Sequence, residues 1–300
     1  MAHLLRYVST LLILGLILTA CDEPEDQADD AMDAPAKDIY LTSFSTADGV
    51  VEIGDLQNIT DREGYDNQPF FVPDSDAFLY TSMREGKTDI FRYDLSEEQH
   101  DQLTRTEATS EYSPTPMTDG YFSVVRVEED GTQRLWRFSV DGGEPELMLQ
   151  HVEPVGYHAW IDADRLALFV LGEPPTLQLA DLGLGDAEVV TEDIGPSLQP
   201  VPDAEAVTFV QQHADTPAQL MRFDPAADAP EPIIELVEGG EDHTWTPDGL
   251  LLMTSGSVLY SYDPDAGDAS WQEVADLAPL QLSRIAVSPD AAWLAIVAEE

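Results

Sequence analysis

The 300-residue chain is strongly acidic: 59 Asp and Glu stand against 13 Lys and Arg, which gives a formal net charge of −46. Nucleic acids and anionic lipid headgroups need a positive protein face, so this charge argues against both as partners. Two interpretations of the acid stay open: a solvated surface adapted to salt, or a surface that binds cations or a basic partner. The acids are spread along the whole folded region, which favours the first.

The first twenty residues predict an export signal. Arg6 precedes the apolar run Leu11–Leu18, and small residues follow, a pattern typical of a secretory signal peptide. The run is shorter than the ~20 residues of a typical membrane-spanning helix. Cys21 is the single cysteine of the chain, so an intramolecular disulfide is excluded.

The tetrad Leu18-Thr19-Ala20-Cys21 resembles the lipobox of bacterial lipoproteins. The resemblance implies that Cys21 is lipidated and becomes the new N-terminus; the alternative is an ordinary secretory signal with an incidental cysteine. Residues 22–36 contain seven acids and no base, a composition that favours a disordered tether. We therefore predict a signal peptide at 1–20, a lipidated acidic tether at 21–37 and a folded domain at 38–300.

These features predict a protein of the bacterial cell envelope that faces the periplasm or the exterior. Its contact with the membrane would be made through the lipid anchor only. Asp22 directly follows Cys21 and resembles an inner-membrane retention signal of some bacteria, but the rule varies among bacteria. The choice between inner and outer membrane therefore stays open.

A turn followed by an apolar strand recurs about every forty residues. The aspartates that mark the turn are spaced by 45, 43, 41, 45 and 42 residues, at positions 74, 119, 162, 203, 248 and 290. A second marker, at the end of a two-sided strand, runs in step at positions 94, 139, 181, 224 and 263, and Val51–Asp55 looks like an earlier copy of it. Such self-similarity is typical of a β-propeller with one four-stranded blade per repeat.

The repeats predict an all-β fold, a six-bladed β-propeller of four-stranded blades. Five complete blades would begin near residues 66, 111, 155, 197 and 241. Pairing of the N-terminal segment 38–60 with the C-terminal segment 284–300 would build the sixth blade and close the ring. Asp38–Ser45 and Trp293–Ala298 both look like second strands, so this blade has one candidate strand too many, and seven blades remain an alternative.

The best-defined repeat resembles that of TolB-type propellers. Ile59–Asp74 and Thr81–Phe91 follow the pattern of that repeat, and Gln102-Leu103-Thr104 begins its next round. The resemblance covers about residues 38–300 and implies the propeller fold. Because TolB works within a cell-envelope complex, it also implies binding of another envelope protein or a peptide.

The sequence contains no nucleophile elbow, zinc-protease motif or phosphate loop. We therefore assign no catalytic residue, no cofactor and no metal ligand. His158 and His243 are candidate binding residues, because each precedes a repeat aspartate by four or five residues and should lie at the channel mouth. They could bind a metal with nearby carboxylates, or simply form hydrogen bonds within the loops between strands.

Aromatic residues recur around the first and second strands of the repeats. We predict that they pack between blades, the alternative being an exposed cluster on one face. The set comprises Tyr65, Phe70, Phe71, Tyr112, Trp160, Trp245 and Trp293.

Two functions remain open on the sequence alone. The first is a membrane-tethered, non-catalytic propeller lipoprotein that binds another cell-envelope protein or a peptide through its loops or central funnel. The second is a small-molecule-binding or metal-dependent propeller enzyme of the lactonase or lyase type that uses the channel mouth. The lack of recognisable catalytic motifs favours the first.

Overall fold

The computed structural model describes residues 36–266 and 270–299. Cys21, the signal peptide and most of the tether therefore lie outside the described residues. The described chain forms 25 β-strands and one short 3-10 turn, Thr118–Gly120. None of the described residues belongs to a helix that is long and apolar enough to span a membrane.

The strands form six antiparallel sheets, which are the blades of a propeller. Three strands at the N-terminus precede the first complete blade: β1 (Asp38–Ala47), β2 (Val50–Ile53) and β3 (Gln57–Asn58). Blade 1 contains β4 (Asp66–Phe71), β5 (Ala77–Arg84), β6 (Lys87–Asp94) and β7 (Gln99–Gln102). Blade 2 contains β8 (Ser110–Pro116), β9 (Tyr121–Val127), β10 (Gln133–Ser139) and β11 (Glu146–Leu147).

The remaining blades repeat the same order from the innermost to the outermost strand. Blade 3 contains β12 (Val155–Trp160), β13 (Arg165–Val170), β14 (Thr176–Asp181) and β15 (Asp186–Glu192). Blade 4 contains β16 (Ile194–Pro200), β17 (Val207–Gln211), β18 (Gln219–Phe223) and β19 (Glu231–Glu235). Blade 5 contains β20 (His243–Trp245), β21 (Leu251–Ser255), β22 (Val258–Tyr262) and β23 (Gln272–Asp276), and the chain ends with β24 (Gln281–Val287) and β25 (Trp293–Glu299).

Blade 6 is built from both ends of the chain. The innermost strand β24 pairs with β25, and β25 pairs with β1 in a register that places Tyr40 opposite Ile296. This pairing confirms the six-bladed β-propeller closed by its N- and C-terminal segments, with six blades rather than seven. It also removes the backbone edges that an open ring would expose.

Blade 6 has one second strand, β25, and not the two candidates that the sequence offered. β1 occupies the third position rather than the second, so the interpretation of Asp38–Ser45 as a second strand was wrong. Val51–Asp55 is not a third strand either, because β2 pairs with the second half of β1 as a hairpin. β3 pairs with the first half of β1, so two short strands share the outermost position.

The hydrophobic core consists of the side chains that pack between the sheets of neighbouring blades. In β13, Leu166, Ala167 and Leu168 are all fully buried, so this strand is covered on both of its faces. A strand between two packed blades has no solvent side, which explains why the second strand of each repeat reads as a continuous apolar run. The innermost strands carry the side chains that reach the propeller axis.

Candidate functional site

A small cavity of about 70 Å³ lies on the propeller axis, and residues from all six blades line it. Its walls combine apolar side chains with a few polar ones. The polar residues are Gln68, Ser113, Thr115, Tyr157, His158, Gln199, Asp242, His243 and Arg284. A concave site with a few convergent polar groups is the usual form of a small binding site, so this cavity is the first candidate.

His243 lies on β20, is 1% exposed and bonds to the preceding blade. Its Nδ1 lies 2.9 Å from Ser197 Oγ and its Nε2 lies 2.8 Å from Thr208 Oγ1. Trp245, two residues later, donates its indole N–H to the same Thr208 oxygen at 2.9 Å. If Ser197 donates to Nδ1 and Nε2–H donates to Thr208, both ring nitrogens are satisfied. The triad therefore joins blade 5 to blade 4.

The same contact recurs between blades 2 and 3. His158 is 6% exposed, and its Nε2 lies 2.7 Å from Ser123 Oγ, which also accepts the indole N–H of Trp160 at 3.0 Å. Ser123 and Thr208 occupy equivalent positions, since each donates its hydroxyl to a carbonyl of the innermost strand of its own blade. We call each set of histidine, tryptophan and hydroxyl a clasp. The difference is that His158 Nδ1 is buried without a hydrogen-bond partner in the part of the chain that the structure describes.

Burial lowers the pKa of both clasp histidines to about 3, because the charged imidazolium would lose its hydration inside the core. Both rings are therefore neutral at physiological pH. A neutral imidazole has one donor and one acceptor, which matches the donor and acceptor roles assigned in the clasp of blades 4 and 5.

The innermost strands of five blades carry a β-bulge, and the bulges bring polar side chains to the cavity. A bulge inserts an extra residue and turns the local side chains out of the regular alternation. The bulges span Asn67 to Phe70, Tyr112 to Thr115, Val155 to Tyr157, Ile194 to Leu198 and Leu282 to Ile285. Gln68, Ser113, Pro196 and Arg284 all lie within these bulges and line the cavity.

Arg284 is the one base among the residues that line this cavity. Its Nη1 lies 3.3 Å from Asp242 Oδ1, and its guanidinium carbon lies 4.5 Å from the centre of the Tyr157 ring. Burial alone would lower the pKa of Arg284, but the combined influence of its neighbours, Asp242 first and then Tyr157, is larger, and the net shift is upward. Burial, followed by the neighbouring Tyr157, raises the pKa of Tyr65. Arg284 is thus a fixed cation at the axis.

Arg62 shows how a purely structural arginine in this propeller is used. It pairs with the buried Asp66 at 2.7 Å and donates to Ser82 Oγ at 2.6 Å, and it also reaches backbone carbonyls of blade 1 and its entry loop. Gly64 has a φ of +135°, and a Cβ there would strike the Arg62 guanidinium. Arg284, by contrast, has its ion pair and ring contact but no hydrogen bond among the described residues. Its N–H donors are therefore available to the cavity.

A wider apolar funnel of about 430 Å³ lies near the axis, at the ends of the innermost strands of blades 1, 4, 5 and 6. It is lined by proline, aromatic and aliphatic side chains, and it shares Pro69, Phe70, Gln199 and Ile285 with the small cavity. Six prolines lie in its wall: Pro69, Pro73, Pro200, Pro202, Pro247 and Pro289. Proline has a fixed φ, and here it lies on turns together with Trp245 and two phenylalanines. The apolar surface of the funnel is therefore rigid. The polar cavity and the funnel therefore adjoin each other, and we call the two together the axial site.

The two histidines singled out from the sequence both lie on innermost strands and line the axial cavity. A binding role for either stays a prediction, and their ring nitrogens face hydroxyl groups of the preceding blade. Residues 36–266 and 270–299 contain no group of three or more His, Cys, Asp and Glu side chains that could hold a metal ion. Cys21 lies outside the described residues, so its lipidation also stays a prediction.

Sequence reasoning missed Arg284, Gln68 and Ser113. Only Arg284 had a visible signal, since it is a base inside the apolar run Leu282–Val287 of a chain with few bases. Gln68 and Ser113 have φ values of +58° and +53°, which the sequence does not indicate, because both residues are ordinarily extended in a strand. The bulges that expose them to the axis are decided by packing at the crowded centre.

No family model matches the sequence, and no curated protein is significantly similar to it. Solved structures are similar in fold. A TolB-type protein from Agrobacterium tumefaciens superposes with a TM-score of 0.68 at 16% identity, over 88% of this chain and 98% of that one. TolB from Acinetobacter baumannii gives 0.57 at 12% identity, over 88% of this chain and 64% of that one, so this chain spans less than two thirds of it.

A gluconolactonase from Xanthomonas campestris gives a TM-score of 0.64 at 12% identity, over 86% of this chain and 94% of that one. TolB-type proteins and a gluconolactonase therefore share this architecture, and identities this low show the fold alone. The comparisons confirm that the chain has the fold of TolB-like six-bladed propellers, as its repeat predicted.

Proposed function

We propose that this protein is a non-catalytic binding propeller of the bacterial cell envelope, and that its axial funnel takes a peptide segment of another envelope protein. The observation that carries the proposal is the funnel itself, a preformed apolar surface of proline and aromatic residues with a volume of about 430 Å³. Apolar and aromatic pockets that need no rearrangement lose little entropy on binding.

The position at which the chain enters the propeller supports this use of the funnel. Lys37 pairs with Glu299 at 3.0 Å and bonds to Gly64, at the end where the innermost strands begin. The funnel opens at the opposite end, among the turns that follow these strands. If Cys21 is lipidated, a flexible tether from 21 to 37 would span about 20–25 Å, and the funnel would face away from the membrane.

Photo-crosslinking in intact cells of the native host tests the proposal. A benzoylphenylalanine at Phe70, in the funnel, should give an adduct with an envelope protein, whereas the same group at the exposed Val189 of the outermost strand of blade 3 should not. The funnel variant V287E, combined with the Phe70 probe, should abolish the adduct because it places a charge in the apolar wall. Equal adducts from Phe70 and Val189, or an adduct indifferent to V287E, would contradict the proposal.

The lactonase-type or lyase-type enzyme remains the alternative. The fold similarity to a gluconolactonase is the observation that keeps it open. Elemental analysis of purified protein, followed by a lactone-hydrolysis assay with added divalent cations, tests it directly. Stoichiometric metal with chelator-sensitive turnover would favour the enzyme over the binding propeller.

A further inference from the structure

We propose that Arg284 binds a carboxylate, and that the peptide taken by the funnel presents its C-terminal carboxylate to this residue. The inference rests on the proposed peptide-binding function and specifies which peptides the axial site selects. It combines the state of the Arg284 guanidinium, two unpartnered polar atoms of other residues that line the same cavity, and the residues that the cavity shares with the funnel.

The first observation is that the donors of Arg284, whose side chain is half-buried at 22% exposure, are not hydrogen-bonded to any described residue. Taking an arginine out of water is expensive unless its donors are used, and this cost is normally met by several hydrogen bonds. Arg62 has such bonds to a carboxylate, a hydroxyl and backbone carbonyls. Arg284 has only the ion pair with Asp242 and the contact with the Tyr157 ring in the described part of the chain. Its guanidinium is the planar fork that carboxylates bind in a bidentate manner.

The second observation is that two buried polar atoms of residues that line the cavity have no hydrogen-bond partner within residues 36–266 and 270–299. Ser113 Oγ and His158 Nδ1 are both buried and unbonded, although the equivalent atoms of the next clasp, Ser197 Oγ and His243 Nδ1, are bonded to each other. A hydroxyl can donate to a carboxylate, and an unprotonated ring nitrogen can accept an N–H. The last residue of a peptide offers both groups, its carboxylate oxygens and its own amide N–H.

The third observation is size. The cavity around Arg284 holds about 70 Å³, enough for a carboxylate with its nearest atoms but not for a folded segment. Phe70 and Ile285 line both this cavity and the apolar funnel, so the side chains that precede the carboxylate would lie against the funnel wall. The site thus favours a chain end over an internal loop.

The test compares two peptides that differ only at the C-terminus: acetyl-Ala-Pro-Phe with a free carboxylate and the same peptide as an amide. Titration followed by NMR, including the guanidinium signal of Arg284, should show the acid binding at least about tenfold more tightly than the amide. R284M should abolish this difference. R137M changes the net charge equally at an exposed ion pair with Glu146 and should preserve it.

R284K keeps the positive charge but lacks the planar guanidinium, so it should retain only part of the preference for the acid peptide over the amide. This variant tests the inference if R284M folds poorly. Equal binding of acid and amide to the wild-type protein would overturn the carboxylate inference while leaving the proposed function intact. Failure of the acid peptide to bind in the millimolar range would also overturn the inference, and the crosslinking experiment then decides the function separately. Galacturonate, a sugar acid, tests a non-peptide carboxylate. If it binds in an Arg284-dependent manner and the peptide does not, the ligand is a carboxylate other than a peptide C-terminus.

Discussion

The two clasps join blades with the same side chains but differ in completeness. Between blades 4 and 5, both ring nitrogens of His243 bond to hydroxyls of the preceding blade. Between blades 2 and 3, His158 bonds to Ser123 alone, and Ser113, which is equivalent to Ser197, leaves its hydroxyl unbonded. The comparison shows that one repeat position can be purely structural in one blade and hold free polar atoms beside the axial site in another.

The other junctions fill the histidine position with apolar residues. Leu198 packs with Ala167 between blades 3 and 4, and Ile285 packs with Leu252 between blades 5 and 6. A buried polar contact is stable only when every member has a partner, whereas an apolar contact needs only a matching shape. If the clasps obey this rule, they should respond to acid, to the loss of a histidine, to the loss of a serine and to replacement as a unit.

Mild acid should destabilise the protein through the clasp histidines. The pKa of both histidines is about 3 in the folded state, below its value in the unfolded state. Between pH 6.5 and 5 the unfolded chain therefore binds protons at these histidines and the folded chain does not, which favours unfolding. Stability should fall as the pH falls, by about 1.4 kcal/mol per pH unit for each histidine. Urea unfolding at several pH values measures this slope.

Burial also lowers the pKa of His100, so the clasp contribution must be read as a difference between variants. H158L and H243L should each reduce the slope by about one proton. H213L, which changes an exposed histidine, is the matched control and should leave it unchanged. An unchanged slope in both clasp variants would contradict burial of neutral imidazoles.

Removing His243 should cost more than removing His158. H243L leaves the hydroxyls of Ser197 and Thr208 without their imidazole partner, which should lower the free energy of unfolding by about 2–4 kcal/mol at pH 7. H158L affects only Ser123 and removes an unsatisfied Nδ1, so its cost should be smaller by about 1 kcal/mol. Denaturant unfolding compares the two; equal or reversed costs would mean that completeness of the clasp does not govern stability.

The equivalent serines give a sharper version of the same test. S197A deprives His243 Nδ1 of its partner and should destabilise the protein by about 1–3 kcal/mol. S113A removes a hydroxyl that has no partner and should change stability by less than about 0.5 kcal/mol. Thermal melts at pH 7 are sufficient, and a loss in S113A as large as that in S197A would show that Ser113 is bonded in solution.

The smallest effect is expected when a clasp is replaced as a unit. S123A with H158L reproduces the Ala167 and Leu198 pair of the next junction, and the half-buried Trp160 can turn its N–H to water. Replacing both partners of a buried hydrogen bond by apolar groups is nearly neutral, so the double variant should be more stable than H158L alone. A double variant less stable than either single one would indicate that the junctions are not interchangeable.

The sequence alone predicted the fold because its markers are local and repeated. A turn such as Pro73-Asp74 followed by an apolar run indicates a buried strand that begins after a turn. Six copies of this pattern at a nearly constant spacing indicate a ring of blades. Closure by the two chain ends followed from the need to pair exposed edges. The position of β1 did not follow, because a mostly buried strand reads alike in the second and third places of a blade.

The site was only partly predictable. His158 and His243 were found because their spacing to the repeat aspartates places them on innermost strands, but their hydroxyl partners lie in the preceding blade, 35 residues away at Ser123 and at Thr208. No local pattern reveals such a contact, since it depends on how two blades pack. Gln68, Ser113 and Arg284 were missed for a related reason: the bulges that turn them to the axis arise where six strands crowd together.

The all-β class and the ring of repeated blades are predictable from the amino-acid sequence, because periodic hydrophobicity and turn residues act over a few neighbours. The choice of six blades over seven needed the pairing of the two chain ends. The sequence also supplied the predictions of export and lipidation. Tertiary structure alone decided which polar groups are satisfied and which are left free at the axis. That distinction separates Arg62 from Arg284 and His243 from His158, and it depends on contacts across blades that no single repeat encodes.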